Sequence, residues 1–128
     1  MIDLEAIYTG VGEALRGVPG LRVADLAAEL PPPPVCVVLP PSFDLSTDAS
    51  VGWCWVVATL PVALVVGRPT ERVGRVNLAE WLPQAIDALE KDSTFGGVVG
   101  DSNVVTAYPT PEDNLPGYTI SVRLFVPR

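Results

Sequence analysis

The 128-residue chain contains no histidine, one lysine (Lys91), one methionine and two cysteines. Each scarcity excludes something. Without histidine there is no Ser-His-Asp or Cys-His catalytic arrangement, and the commonest neutral metal ligand is missing. Charged side chains make up only 18% of the residues, and 15 Asp and Glu against 8 Lys and Arg give a formal net charge of −7. A surface of that sign argues against gripping a phosphate backbone, which needs basic side chains. No GxxxxGK or GxGxxG phosphate loop occurs. Gly96-Gly97-Val98-Val99-Gly100 is rich in glycine but opens no helix, so it lacks the ring of free N–H groups that binds phosphate. Lys91, at a helix end, reads as a partner of the helix dipole rather than as a Schiff-base nucleophile. Cys36 and Cys54 lie in apolar runs without CxxC spacing and read as buried reduced thiols; a disulfide would require their strands to pair. Met1-Ile2-Asp3-Leu4-Glu5 places acids where a secretory signal carries basic residues, which points to a protein made inside the cell. These exclusions leave no catalytic residue, no cofactor and no metal site.

Hydrophobic residues are abundant at 48%, with 14 Pro and 11 Gly. Such a chain is too apolar to be disordered, and its length suits a single domain over residues 1–128. Ser50 to Gly67 carries no charge. It is shorter than the roughly 20 residues of a membrane-spanning helix, holds Pro61, and is mostly β-branched or aromatic, so it reads as strand.

Residues 2–17 read as a helix. Leu4, Ile7, Tyr8, Val11, Ala14, Leu15 and Val18 form one apolar stripe, with Asp3 and Glu5 in the first turn and Arg16 in the last. Gly10 and Gly12 weaken a helix interior by about 1 kcal/mol each relative to Ala, so either tertiary packing supports them or another backbone approaches closely there. Leu21 to Leu30 leaves two readings open, a short strand from Leu21-Arg22-Val23 or a helical turn over Ala24–Leu30. Pro31 to Pro34 is a stiff extended spacer rather than a recognition peptide. It leads into a strand over Val35–Leu39. Ser42 to Ser50 reads as a polar loop, and its Asp44 and Asp48 fall short of the oxygen ligands a hard cation needs.

The strand region 51–66, bent at Pro61, puts Trp53, Trp55 and Val57 on one face and Cys54, Val56 and Ala58 on the other. Both faces are apolar, so both require cover. Two helices cover one side of a sheet, and the other side becomes a candidate subunit interface. Residues 70–91 form the second helix, with Thr70 as N-cap and a break or kink at Leu82-Pro83. A closing hairpin pairs Asn103–Tyr108 with Tyr118–Val126. There Tyr118, Ile120, Val122, Leu124 and Val126 alternate with Thr119, Ser121 and Arg123. The expected fold is α+β: a small mixed or antiparallel sheet of four to five strands with two helices packed on one face, in the order α-β-β-β-α-β-β.

The stretch Ala85-Ile86-Asp87-Ala88-Leu89-Glu90-Lys91-Asp92-Ser93-Thr94-Phe95-Gly96-Gly97-Val98-Val99 resembles the tail terminator (tail completion) proteins of long-tailed bacteriophages. In that family a helix closes on an Ala-Leu pair, followed by an Asp and a Thr-Leu-Gly-Gly turn; Phe95 stands here in place of the Leu. Pro116-Gly117-Tyr118 with its alternating strand, and Val65-Val66-Gly67-Arg68-Pro69-Thr70-Glu71-Arg72, fit the same pattern. The likeness in wording runs from about Val65 to Val126. Only Leu82-Pro83 marks the break that the family often makes longer within the second helix.

The resemblance implies a non-enzymatic virion protein of the tail or neck, assembled in the host cytoplasm. It implies a ring, expected to be a hexamer, that caps the tail tube, ends elongation and offers the surface for head–tail joining. Its partners would be other copies of itself, the tail tube protein and a head-completion or connector protein, with no membrane. DNA would pass through the ring without being specifically bound, and an acidic lining suits that passage. Candidate interface residues are Trp53, Trp55, Val57 and Tyr118; candidate lumen- or partner-facing acids are Asp44, Asp48, Glu112 and Asp113. The competing readings are another neck or tail-tube component, or a small ligand-binding or enzymatic domain with a deep polar pocket.

Overall fold

A computed structural model describes residues 2–24, 34–45, 55–66, 71–109 and 117–127, with the backbone alone for residues 71–75. The described chain is α+β, ordered α1 (Leu4–Arg16), β1 (Arg22–Ala24), β2 (Val35–Val38), β3 (Ser42–Asp44), β4 (Trp55–Val65), α2 (Glu71–Glu90), β5 (Asp101–Pro109) and β6 (Gly117–Pro127). This corrects the expected count and order. Among the described residues there are six strands: the expected short strand after α1 is Arg22–Ala24, and Ser42–Asp44, read as loop, is an added strand paired with β4. Three residues are too few to show a period, so only the pairing partner reveals β3.

The sheet runs β1-β2-β4-β6-β5, with β3 beside β2 on the same edge of β4. All pairings are antiparallel except β1 with β2. The long β4–β6 ladder sets the frame: Trp55 stands opposite Pro127, Val62 opposite Ile120 and Leu64 opposite Tyr118. The ladder continues through Pro61, which lies opposite Ser121, so the proline does not end the strand.

Side chains of even number in β4 and β6 point to one face. Val56, Ala58, Leu60, Val62, Leu64, Ile120, Val122, Leu124 and Val126 are all nearly or fully buried. Ile7, Tyr8, Val11 and Leu15 of α1 and Ala85 and Leu89 of α2 join them in a single core, so both helices cover this face. Each such aliphatic side chain stabilises the fold by about 1.5–3 kcal/mol when fully buried.

Helix α1 is capped as its sequence requires: the Asp3 carboxylate accepts the Ala6 N–H at 3.0 Å, and Arg16 in the last turn pairs with Glu13 at 3.2 Å. Gly10 has the close approach that its poor helix propensity implied. A Cβ there would lie 3.0 Å from the Phe95 carbonyl oxygen.

Helix α2 is one helix through Pro83, not two. Proline in a helix interior removes one hydrogen bond and costs about 3 kcal/mol. Here Pro83 is exposed, while Trp81 and Leu82 before it and Ala85, Ile86 and Leu89 after it all pack on the same core. Burial on both sides of the proline outweighs the local defect.

Candidate functional site

The odd-numbered side chains of β4 and β6 lie on the sheet face opposite the helices. The register assembles rows across this face: Val37–Ala63–Thr119–Tyr108, then Pro61–Ser121–Thr106, then Ser42–Thr59–Arg123–Asn103, then Asp44–Val57–Phe125–Asp101, and finally Trp55–Pro127. Two apolar patches result. One holds Val37, Pro61, Ala63, Val65 and Tyr108; the other holds Trp55, Val57 and Phe125. Between them runs a polar band of Ser42, Thr59, Asn103, Ser121 and Arg123. Trp55 is 39% exposed and Tyr108 51% exposed, large apolar areas for a face that no described helix covers.

The sequence-derived candidates divide accordingly. Trp55 and Val57 share this face, as their spacing implied, and Asp44 joins them because it stands opposite Val57. Tyr118 does not. It pairs with the fully buried Leu64 and is therefore a half-buried residue of the helix side. It also lies nine residues along the ladder from the Trp55 end, roughly 30 Å away at strand rise. Trp53, Asp48, Glu112 and Asp113, like Cys54 and the Thr70 cap, fall outside the described residues.

Tyr108 and Phe125 are members of the face that the strand patterns did not single out. Phe125 was accessible in principle, since it continues the Thr119, Ser121, Arg123 series. Tyr108 was not, because a bulge between Val104 and Thr106 reverses the alternation of β5 before it reaches Tyr108.

The segment that carries the family resemblance is a self-bonded turn. One Asp92 carboxylate oxygen accepts the Thr94 N–H at 3.0 Å and the Thr94 hydroxyl at 2.9 Å, and the other accepts the Gly96 N–H at 2.9 Å. Those bonds, the Gly96 and Thr94 N–H groups first, hold the Asp92 carboxyl below the usual carboxylate range. Phe95, Gly96 and Gly97 follow with φ of 47°, 75° and 89°. Phe95 accepts this left-handed backbone because its side chain is buried in the core. The carboxylate that anchors the turn is therefore committed to structure.

Cys36 is a free thiol, fully buried, and that burial pushes its pKa from 9.0 to about 12. Among the described residues no group of three or more Cys, Asp and Glu is placed to share a metal ion. No described helix is long and apolar enough to cross a membrane. A scan against protein-family models gives no match, and a search of curated proteins gives none either.

Proposed function

We propose that the protein is a structural ring subunit of a bacteriophage tail, of the tail terminator kind. It caps the tail tube and presents the surface for head–tail joining. The observation that carries this reading is the sheet face opposite the helices, with Trp55, Val57 and Phe125 at one end and Val37, Ala63, Val65 and Tyr108 at the other. A closed ring uses heterologous contacts, in which two different patches of one subunit meet their neighbours. Two apolar patches separated by a polar band supply that pair. The Asp92–Gly97 turn supports the family resemblance on physical grounds. It needs an acid followed by residues able to hold left-handed backbone, which is what the Asp, Thr and Gly-Gly of the shared wording provide. The net charge of −7 suits a ring through which DNA slides without adhering. Asp44 stands opposite Val57 at the margin of the Trp55 patch, which supports a partner-facing role for it.

The test is assembly. Light scattering and negative-stain electron microscopy of the purified protein, alone and with tail tube, should show a closed ring of about six subunits, the size that the resemblance implies. Val57→Asp and Tyr108→Asp should each abolish the ring while leaving the far-ultraviolet circular dichroism of the subunit unchanged. A species that stays monomeric at high concentration and in the presence of tail tube overturns the reading. A tube of many stacked rings favours a tail-tube subunit instead.

A further inference from the structure

We propose that the groove between α1 and the C-terminal half of α2 is a docking site for a basic amphipathic segment of a partner protein. The two helices run antiparallel: Gly10 of α1 meets Phe95 and Val98 just beyond the end of α2, whereas Gly20, just beyond α1, meets Trp81 in the middle of α2. Between those contacts α1 presents Gly10, Ala14 and Gly17, and α2 with the residue after it presents Gln84, Ala88 and Lys91. Both series are spaced by four and three residues, so each forms one helical stripe.

With glycine and alanine along α1 and alanine at the centre of the α2 stripe, no large side chain among the described residues fills the gap. A cavity of about 1040 Å³ stays open, bounded by the buried Val18 at one end and Phe95 at the other. This is at the upper limit of the roughly 300–1,000 Å³ of small-molecule pockets. Its place between two antiparallel helices suits a helical segment that lays apolar anchors between them.

Charge selects the occupant. The rim carries Glu13, Asp87, Glu90 and Asp92, all exposed, against Lys91 as the one cation among the described residues of the lining. Arg16 bridges Glu13 at 3.2 Å and the Asp92 carboxylate is bound into its own turn, which leaves Asp87 and Glu90 as the acidic side. A second copy of a chain of net charge −7 would bring further negative charge to this rim, whereas a cationic segment meets complementary potential. The groove lies on the helix side of the molecule, away from the sheet face assigned to the ring, so the two proposals stand or fall separately.

The experiment uses the full chain and a synthetic helix-forming peptide of about 14 residues, near the length at which isolated helices become marginally stable. Leucines occupy one face of the peptide and Lys and Arg flank them; a control replaces every Lys and Arg with Glu. Calorimetry should give saturable one-to-one binding of the basic peptide. Amide shifts should cluster at residues 10–18 and 84–92, and the acidic peptide should bind at least about tenfold more weakly, the size expected of a complementary charge pair at an interface. Asp87→Lys and, independently, Glu90→Lys should weaken the basic peptide by a similar factor with an unchanged denaturation midpoint. Absence of saturable binding, equal affinity for the two peptides, indifference to both charge reversals, or shifts confined to the sheet face would each overturn the proposal. So would self-association of the chain that Asp87→Lys abolishes, since the groove would then hold a second copy.

Discussion

The indole of Trp55 rests on the backbone of Gly100. A Cβ at position 100 would stand 2.5 Å from its Cζ3 and 2.7 Å from its Cη2. The Gly100 N–H in turn donates to the Phe125 carbonyl at 2.8 Å, so the ring from β4 covers the point where the chain enters β5. Gly100→Ala therefore drives the ring off this site. Because the clashing atoms are the tip of a partly exposed side chain, the indole swings outward and the backbone stays in place. The expected cost is about 1 kcal/mol, the low end of overpacking. Urea denaturation measures it, and a double-mutant cycle assigns it: in a Trp55→Ala background the cost should vanish. An undiminished loss in that background would place the strain elsewhere.

Gly10→Ala tests the contact between α1 and the turn after α2. In an exposed helix this change stabilises by about 1 kcal/mol. Here the new methyl would lie 3.0 Å from the Phe95 carbonyl oxygen and 3.2 Å from Val98 Cγ2. The oxygen belongs to a backbone turn held by Asp92 and cannot rotate away, so repulsion outweighs propensity. A net loss of about 1–2 kcal/mol is expected, within the range for overpacking. A higher melting temperature for Gly10→Ala would refute the close approach.

How far the sequence led depends on the range of the interaction being read. The stripe Ile7, Tyr8, Val11 and Leu15 and the alternation from Ile120 to Val126 are local periods imposed by one-sided burial, and both elements appear close to their expected bounds. Pro83 left two outcomes open, a break or a kink, because its cost is local, whereas the packing of Leu82 and Ala85 that keeps the helix in one piece is tertiary. On the candidate face, Trp55 and Val57 were legible from alternation within one strand. Tyr118, the interface candidate from the other strand, falls on the helix side instead, because the facing of one strand relative to another depends on register, here Leu64 opposite Tyr118. Tyr108 was hidden by a single bulged residue.

Asp92→Ala should destabilise the fold most at neutral pH. The folded state holds this carboxyl below its ordinary value, chiefly through the Gly96 and Thr94 N–H groups. A depressed folded pKa contributes stability that is present above the unfolded value, about 3.9 for Asp, and lost as pH falls through the folded one. The difference in denaturation midpoint between wild type and Asp92→Ala should therefore be constant from neutral pH down to about pH 5, then close as the pH falls below the unfolded value. Asp92→Asn, which retains one acceptor oxygen, should fall between the two. A gap that persists unchanged at low pH would show that the turn does not depend on the ionised carboxylate.

Cys36 gives the opposite sign at the alkaline end. It stands opposite Leu64 in the β2–β4 ladder, with no exposed surface, and its pKa rises from 9.0 to about 12 because the thiolate would be stripped of water. A raised folded pKa contributes stability fully present below the unfolded value and lost as pH rises towards the folded one. Between about pH 9 and pH 12 the unfolded chain ionises at this position while the native chain does not. In a Cys54→Ser background, where one thiol remains, Cys36 should resist an aromatic disulfide reagent at pH 8 and react only as fast as the molecule opens. Adding urea below the transition should accelerate labelling in step with the population of open molecules. Cys36→Ala should lower stability at pH 7 through the small cavity it leaves, and the gap to wild type should narrow above pH 9. Prompt labelling of the native protein at pH 8 would mean that β2 does not seal the thiol between β4 and α1.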